Sequence, residues 1–166
     1  MCAGEGRDLI GVLPTHPRRA DTTALLVELD PHNVAAARKA AAAMTGLPGV
    51  DVVQADAAIS DIYASAIPAD VVLACGIFGN VSDGDVENTV RNLSMLCRVG
   101  SSVIWTRHRR EPDLTPKIRR WFAQAGFTEL GFDALKNKTL SGIGTELLTS
   151  EPVVFKPGLR FFTFVR

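Results

Sequence analysis

The chain has 166 residues, 46% of them hydrophobic and 22% charged, with 18 basic and 18 acidic side chains and a formal net charge of zero. That length and composition suit one globular domain with one sizeable core, and the charge balance gives no electrostatic footprint for nucleic acid or an anionic membrane. No apolar run reaches the roughly 18–20 residues that span a bilayer, and three scattered cysteines (Cys2, Cys75, Cys97) form neither a disulfide framework nor a metal site, so the expected compartment is a reducing cytoplasm.

The first predicted feature is Cys2-Ala3-Gly4-Glu5-Gly6-Arg7-Asp8, followed by the apolar Leu9, Ile10, Val12 and Leu13. It reads as a strand end, a glycine turn and a helix start. Glycines permit positive φ and close approach of backbone to a ligand. A helix N-terminus offers free N–H groups to a carboxylate or phosphate. A tight turn with no ligand is the plain alternative. Ala24 to Leu29 then reads as a buried strand. Pro31 to Met44 reads as a helix, with Asp30 as its cap, Pro31 in its first turn and Gly46 just past its end. Val50 to Gln54 and Ala69 to Cys75 are the next strands, the second apolar enough for a central position.

A helix is expected from Ser82 to Cys97, because Val86, Val90, Leu93 and Cys97 recur at helical spacing. Ser82 and Asp85 have capping-box spacing, and Gly100 ends the segment. Ser102 to Thr106 is a strand. Thr115 and Pro116 open a helix through Ile118, Trp121, Phe122 and Ala125, stopped by Gly126. Trp105, Trp121 and Phe122 are expected in the core. Phe127 to Phe132 and Arg160 to Val165 both read as strands. The Gly-, Thr- and Pro-bearing stretch between them reads as loop, so this last pair is expected to be antiparallel. Asn137-Lys138-Thr139 matches a glycosylation sequon without consequence in a cytosolic protein. The alternation of strands and helices predicts an α/β fold: an open twisted sheet, mostly parallel, with an antiparallel C-terminal pair.

Two acids stand at βα junctions. Glu28, near the end of its strand, is 22 residues beyond Gly6 and could accept hydrogen bonds from both hydroxyls of a ribose. Capping of the next helix goes to Asp30, which leaves Glu28 without an obvious structural job. Asp56 follows the third predicted segment of sheet. It could accept from an adenine amino group, with the Ala57 N–H facing the adjacent ring nitrogen; the plain alternative is a loop cap. The junctions after strands share one edge of an open α/β sheet, where ligands bind.

In that order (glycine loop, acidic strand end, acidic strand end) the chain resembles the class I, Rossmann-like S-adenosylmethionine (SAM)-dependent methyltransferases over nearly its whole length. The resemblance implies SAM as cofactor. It puts Gly4, Glu5 and Gly6 on the glycine-rich loop, Glu28 on the ribose, and Asp56 and Ala57 on the adenine. It puts Gly76-Ile77-Phe78-Gly79-Asn80 beside the sulfonium and the substrate, with Gly76 and Phe78 on the cofactor side. It also implies a final strand inserted between the two before it. The family loop usually begins with an acid and ends on a third glycine, where this chain has Cys2 and Asp8. The resemblance further implies that the first strand and its preceding helix are missing, which predicts a marginal, oligomerising chain.

The implied activity is methyl transfer to a small molecule, with no metal. No Asn-Pro-Pro-Tyr-like motif follows the fourth strand of the family pattern, which disfavours amide or nucleobase nitrogen as acceptor. On the acceptor side, His108 could act as general base. Thr106-Arg107-His108-Arg109-Arg110 could also bind an anionic substrate or be a solvated basic loop. Asn80 could orient a substrate or stabilise a turn. Phe78, Asn80 and His108 are all expected to face the methyl donor. A non-catalytic SAM-binding subunit remains an alternative. A nicotinamide-dependent oxidoreductase is weaker, because Leu9 stands where Gly-x-Gly-x-x-Gly needs its third glycine.

Overall fold

A computed structural model describes residues 1–44, 49–136 and 140–165. The expected helix stop at Gly46 and the Asn137-Lys138-Thr139 sequon lie outside the described residues. The chain divides into two compact units, Met1–Ala57 and Ala58–Arg166.

In the first unit, the glycine turn leads into α1 (Arg7–Ile10), a single turn of helix. Strand β1 (Ala24–Glu28) pairs in parallel with β2 (Val50–Gln54), joined by α2 (Pro31–Ala42). The cap of α2 is the expected one. Asp30 Oδ1 accepts from the N–H groups of His32 at 2.8 Å and Asn33 at 3.1 Å, and Pro31 occupies the position whose N–H would otherwise be orphaned. Val34 and Ala37 are the buried face of α2. No strand precedes β1 among the described residues; instead the Ala3 N–H donates to the Val27 carbonyl at 2.9 Å, which lays the start of the chain alongside β1.

The second unit holds a four-stranded sheet in the order β3 (Ala69–Ala74), β4 (Cys97–His108), β6 (Ser141–Leu148), β5 (Phe127–Ala134). β3 and β4 are parallel; β6 runs antiparallel to both β4 and β5. A last strand inserted between its two predecessors is what the resemblance implies, but its residues differ from expectation. The inserted strand is Ser141–Leu148, in the stretch read as loop. Arg160–Val165 forms only isolated bridges, Arg160 with Ile59 and Phe164 with Val81. The reason lies at two glycines. Gly142, Gly144, Glu146 and Leu148 share the buried face of β6, and the rings of Phe132 and Trp105 lie directly on Gly142 and Gly144. Glycine there reads as loop but makes room for aromatic cover.

Helix α3 (Asp83–Leu93) is shorter than expected. Ser94–Leu96 tightens into a 3₁₀ turn, and Cys97 already begins β4, with Gly100 inside that strand at φ +86 rather than ending the helix. The capping box is half made: Ser82 Oγ accepts from the Asp85 N–H at 3.1 Å, while Asp85 Oδ2 accepts from Thr163. α4 (Thr115–Gln124) buries Ile118 and Phe122 against the sheet. Trp105 stacks on Phe122 at 5.9 Å and contacts Phe132 and Phe78, whereas Trp121 is only half-buried. The C-terminal segment straps this unit together. Asn88 Nδ2 and Thr89 Oγ1 donate to the Phe161 carbonyl, and Phe161 and Phe162 are buried. No helix among the described residues is long and apolar enough to cross a membrane.

One buried acid sits in this core. Glu146 is 1% exposed, and its Oε1 accepts from Trp105 Nε1 at 3.1 Å. Burial lifts its carboxyl above the ordinary carboxylate range; the Trp105 hydrogen bond opposes this, Glu129 adds to it and Arg119 opposes it. A raised folded-state pKa means that the protonated form suits the fold better. Its contribution is therefore full below the ordinary carboxylate pKa and is lost as pH rises through the folded value. Glu146→Gln keeps an oxygen for Trp105 and removes the charge. We expect this variant to melt on the order of 3 °C above the parent at pH 8, with the gap closing towards pH 5. Parallel melting-temperature profiles across that range would remove the buried charge as the cause.

Candidate functional site

The candidate cofactor residues of the first unit converge on the N-terminal loop. Gly4 and Gly6 have φ of +54 and +75, a region that L side chains rarely adopt, and Cys2 joins them at +50. The two glycines differ in what surrounds them. A Cβ on Gly6 would stand 2.8 Å from side-chain atoms of Ile10 and Leu26, so Gly6 is required by packing. A Cβ on Gly4 would meet nothing within 4 Å, so the backbone there borders open space. α1 is one turn long, too short for a macrodipole of consequence, so the expected dipole contribution falls away. Glu5 is exposed and its carboxylate is taken by Arg7 at 2.6 Å, leaving its backbone as what it offers.

Glu28 has a structural job after all. Its Oε2 accepts from the Gly4 N–H at 2.8 Å, and its Oε1 accepts from Leu29 at 3.0 Å and Asp30 at 2.9 Å. The carboxylate ties the end of β1 to the glycine turn. A carboxylate offers about four acceptor directions, so these three bonds leave Oε2 one more. Asp56 lies two residues beyond β2, which is paired with β1 through Glu28 and Gln54. Asp56 is half-buried and Ala57 buried. Burial pushes the Cys2 thiol up to about 11; the chain's own amino group opposes this, and the charges of Glu28 and Asp56 both add to it. Glu28 is hydrogen-bonded to the loop, and Glu28 and Asp56 both lie within electrostatic reach of Cys2. Sequence pattern marked the acids but not Cys2.

In the second unit, the loop after β3 is clamped by three successive residues at the end of β4. The Gly76 N–H donates to Thr106 Oγ1 at 2.9 Å, the Phe78 carbonyl accepts from Arg107 Nη1, and the His108 ring edge lies 3.5 Å from where a Cβ on Gly79 would stand. Asn80 Nδ2 donates to the Gly76 carbonyl at 2.8 Å, which is the turn-stabilising alternative. Phe78 is fully buried with its ring 6.1 Å from that of Trp105, so the expectation that this ring faces a methyl donor gives way to a core role. Gly76 is exposed at φ +73 and His108 is half-buried. A shallow cavity of about 500 Å³ elsewhere in this unit, lined by Arg91, Gln124 and Ser150 among others, includes none of these residues.

Known structures share this fold. An O-methyltransferase family protein from Burkholderia thailandensis superposes with a TM-score of 0.70 at 18% identity, covering 90% of this chain and 49% of that one. Magnesium protoporphyrin IX methyltransferase from Synechocystis, solved with bound SAM, gives 0.69 at 12% identity over 90% of this chain and 67% of that one. An RNA methyltransferase from Salinibacter ruber, in complex with S-adenosyl-L-homocysteine, gives 0.60 at 18% identity over 93% and 82%. The chain has the Rossmann-like fold of class I SAM-dependent methyltransferases. It spans about half the length of the Burkholderia protein. No protein-family model matches the sequence, and no curated protein does.

Proposed function

We propose that residues 1–166 serve as a single SAM-binding domain that transfers a methyl group to a small molecule. The observation that carries this reading is the loop of the first unit: open backbone at Gly4, held by Glu28, with Glu28 and Asp56 both bearing on Cys2. The residues present fit the cofactor. Glu28 Oε2 accepts one ribose hydroxyl while keeping the turn, one fewer than the spacing alone suggests. Asp56 and the Ala57 N–H take the adenine edge, and the backbone of Gly4, Glu5 and Gly6 borders the methionine end. Bound there, SAM supplies an electrophilic methyl group on a sulfonium. The rest is positioning, which can carry much of the rate of a direct displacement.

On the acceptor side we assign the loop Gly76–Asn80 and His108. Asn80 and Arg107 hold that loop in shape, and His108 takes a proton where the acceptor has one to lose. The balanced charge supports a small acceptor over RNA. A cytoplasmic setting belongs to the same reading, supported by three cysteines that are not joined in disulfides among the described residues, as does a homo-oligomer. A non-catalytic SAM-binding subunit is the second reading, and it shares the cofactor residues of the first.

Calorimetry with SAM, S-adenosylhomocysteine and NADH tests the assignment. We expect the first two to bind and NADH not to. Asp56→Ala should weaken S-adenosylhomocysteine by about tenfold, the value of one hydrogen bond to a charged group. Binding of NADH in place of SAM would overturn the reading. Release of S-adenosylhomocysteine on adding candidate acceptors separates the enzyme from the binding subunit.

A further inference from the structure

Glu146 is the only buried acid among the described residues, and the methyl transfer proposed above gives it no part. It stands on β6, paired across the ladders with Val103 of β4 and Glu129 of β5. Its Oε1 accepts from Trp105 Nε1 at 3.1 Å. The charged groups that face it are Glu129 and Arg119 of α4. Arg119 is committed elsewhere, since its guanidinium donates to both carboxylate oxygens of Glu129, at 2.6 and 2.7 Å. Arg119 therefore answers the charge of Glu129 and leaves Glu146 to the indole N–H. Like charges directly opposite in a sheet are destabilising, and an ionised carboxyl in a core is costly. Both effects favour the neutral acid.

The indole that Glu146 holds also supports the acceptor loop. Trp105 lies 6.1 Å, ring to ring, from the fully buried Phe78, and Arg107, two residues further along β4, donates to the Phe78 carbonyl. Phe78 is thus fixed to β4 by its ring and by its main chain. Between those two attachments, Thr106 Oγ1 accepts from the Gly76 N–H at 2.9 Å. The indole has little room of its own. It lies on Gly144, where a Cβ would stand 2.2 Å from the ring, and it packs against Phe122 and Phe132. A charged carboxylate needs more donors than one N–H, so ionisation of Glu146 draws in water or pulls the indole from its place. A close-packed interior transmits such a shift to the neighbouring rings.

We propose that Glu146 is a positioning residue for the Gly76–Asn80 loop: as the neutral acid it holds Trp105, and through it Phe78, and its ionisation loosens the loop. The loop's part in methyl transfer rests on the function proposed above, while the coupling from Glu146 to the loop does not. The folded core favours the protonated form, so the ordered loop is present at low pH and is lost as pH rises through the folded-state value.

Hydrogen exchange on the full chain between pH 5 and 9 tests this at the Gly76 and Asn80 amides, which donate to Thr106 Oγ1 and to the Ile77 carbonyl. Rates are compared after removing the intrinsic pH dependence of exchange, and the Val86 and Val90 amides of α3 serve as a control for global opening. We expect loop protection to fall about fivefold or more across that range, the low end of coupling between sites, with α3 unmoved. Glu146→Gln should remove that fall. Histidine is the other side chain that changes charge in this range; His108, beside Gly79, is retained in both proteins, so the difference between them belongs to Glu146. The indole N–H signal of Trp105, told from that of Trp121 by Trp121→Phe, should move along the same titration in the NMR spectrum of the parent and stay still in Glu146→Gln. Phe78→Leu breaks the ring contact, so the Trp105 signal should still titrate while loop protection no longer follows; if that variant fails to fold, Glu146→Gln carries the test. The same protection profile in parent and Glu146→Gln, loosening of α3 in step with the loop, a Trp105 signal that does not move, or a fall that persists in Phe78→Leu would overturn the proposal. Coupling that depends on Glu146 in a protein with no affinity for S-adenosylhomocysteine would uphold the role of Glu146 and sink the methyltransferase reading.

Discussion

Gly144→Ala is expected to destabilise the protein by about 3 kcal/mol or more, at the top of the usual range for overpacking. A Cβ at this position would stand 2.2 Å from Trp105 Cε2 and 2.3 Å from its Nε1. A flexible side chain could swing away; this ring cannot. Trp105 is fully buried, stacked on Phe122, in contact with Phe132 and Phe78, and bonded through its N–H to Glu146. Moving the ring displaces three other aromatics and strands a buried carboxylate, so the backbone of β6 must give instead. Gly131, in the neighbouring strand β5, is the control, because a Cβ there meets nothing within 4 Å and its φ is not positive. Gly131→Ala should stay within about 0.5 kcal/mol of the parent. Urea unfolding at matched m-values reads both. A midpoint for Gly144→Ala equal to that of Gly131→Ala would mean that the indole does not cover Gly144 in solution.

That same glycine explains where the sequence misled. Ser141–Leu148 alternates correctly, with Ile143, Thr145 and Leu147 on one face, and that period-two signal was there to be read. Its other face is Gly, Gly, Glu and Leu, which looks like loop because the apolar bulk is supplied by Trp105 and Phe132 from the adjacent strands. Arg160–Val165 misled in the opposite direction. Phe161 and Phe162 are buried and Phe164 is exposed, and the segment's backbone is held by the side chains of Asn88, Thr89 and Asp85 and by isolated bridges instead of by a strand. Local features were legible wherever the physics is local. Asp30, Pro31 and Ser82 do what their types and positions dictate, and the Gly4–Gly6 turn is a turn. Phe78 was not legible, since an aromatic residue in a loop can turn either into a core or towards a ligand, and only the position of Trp105 decides. The clamp from Arg107 to the Phe78 carbonyl was equally hidden: it joins residues 29 apart in sequence.

Glu28→Ala is expected to weaken SAM binding by roughly ten- to a hundred-fold, because a hydrogen bond to a charged group is worth about 1.5–3 kcal/mol. The structure adds a second consequence. Glu28 Oε2 holds the Gly4 N–H, so its removal loosens the turn whose open backbone is assigned to the methionine end of the cofactor. The two effects separate by variant. Gly4→Ala leaves the carboxylate in place and finds open space for its Cβ, but it puts an L side chain at φ +54, which strains the turn without touching the ribose contact. Glu28→Gln keeps one oxygen for the Leu29 and Asp30 N–H groups, yet it turns a donor towards the Gly4 N–H, where an acceptor is required, and offers a ribose hydroxyl a neutral amide in place of a carboxylate. Loss of affinity in Glu28→Gln close to that in Glu28→Ala, with a melting temperature near the parent's, is the result that places Glu28 on the ribose. A Glu28→Gln variant that binds S-adenosylhomocysteine as tightly as the parent would leave the carboxylate with its structural role alone, and the ribose would have to be held by another group.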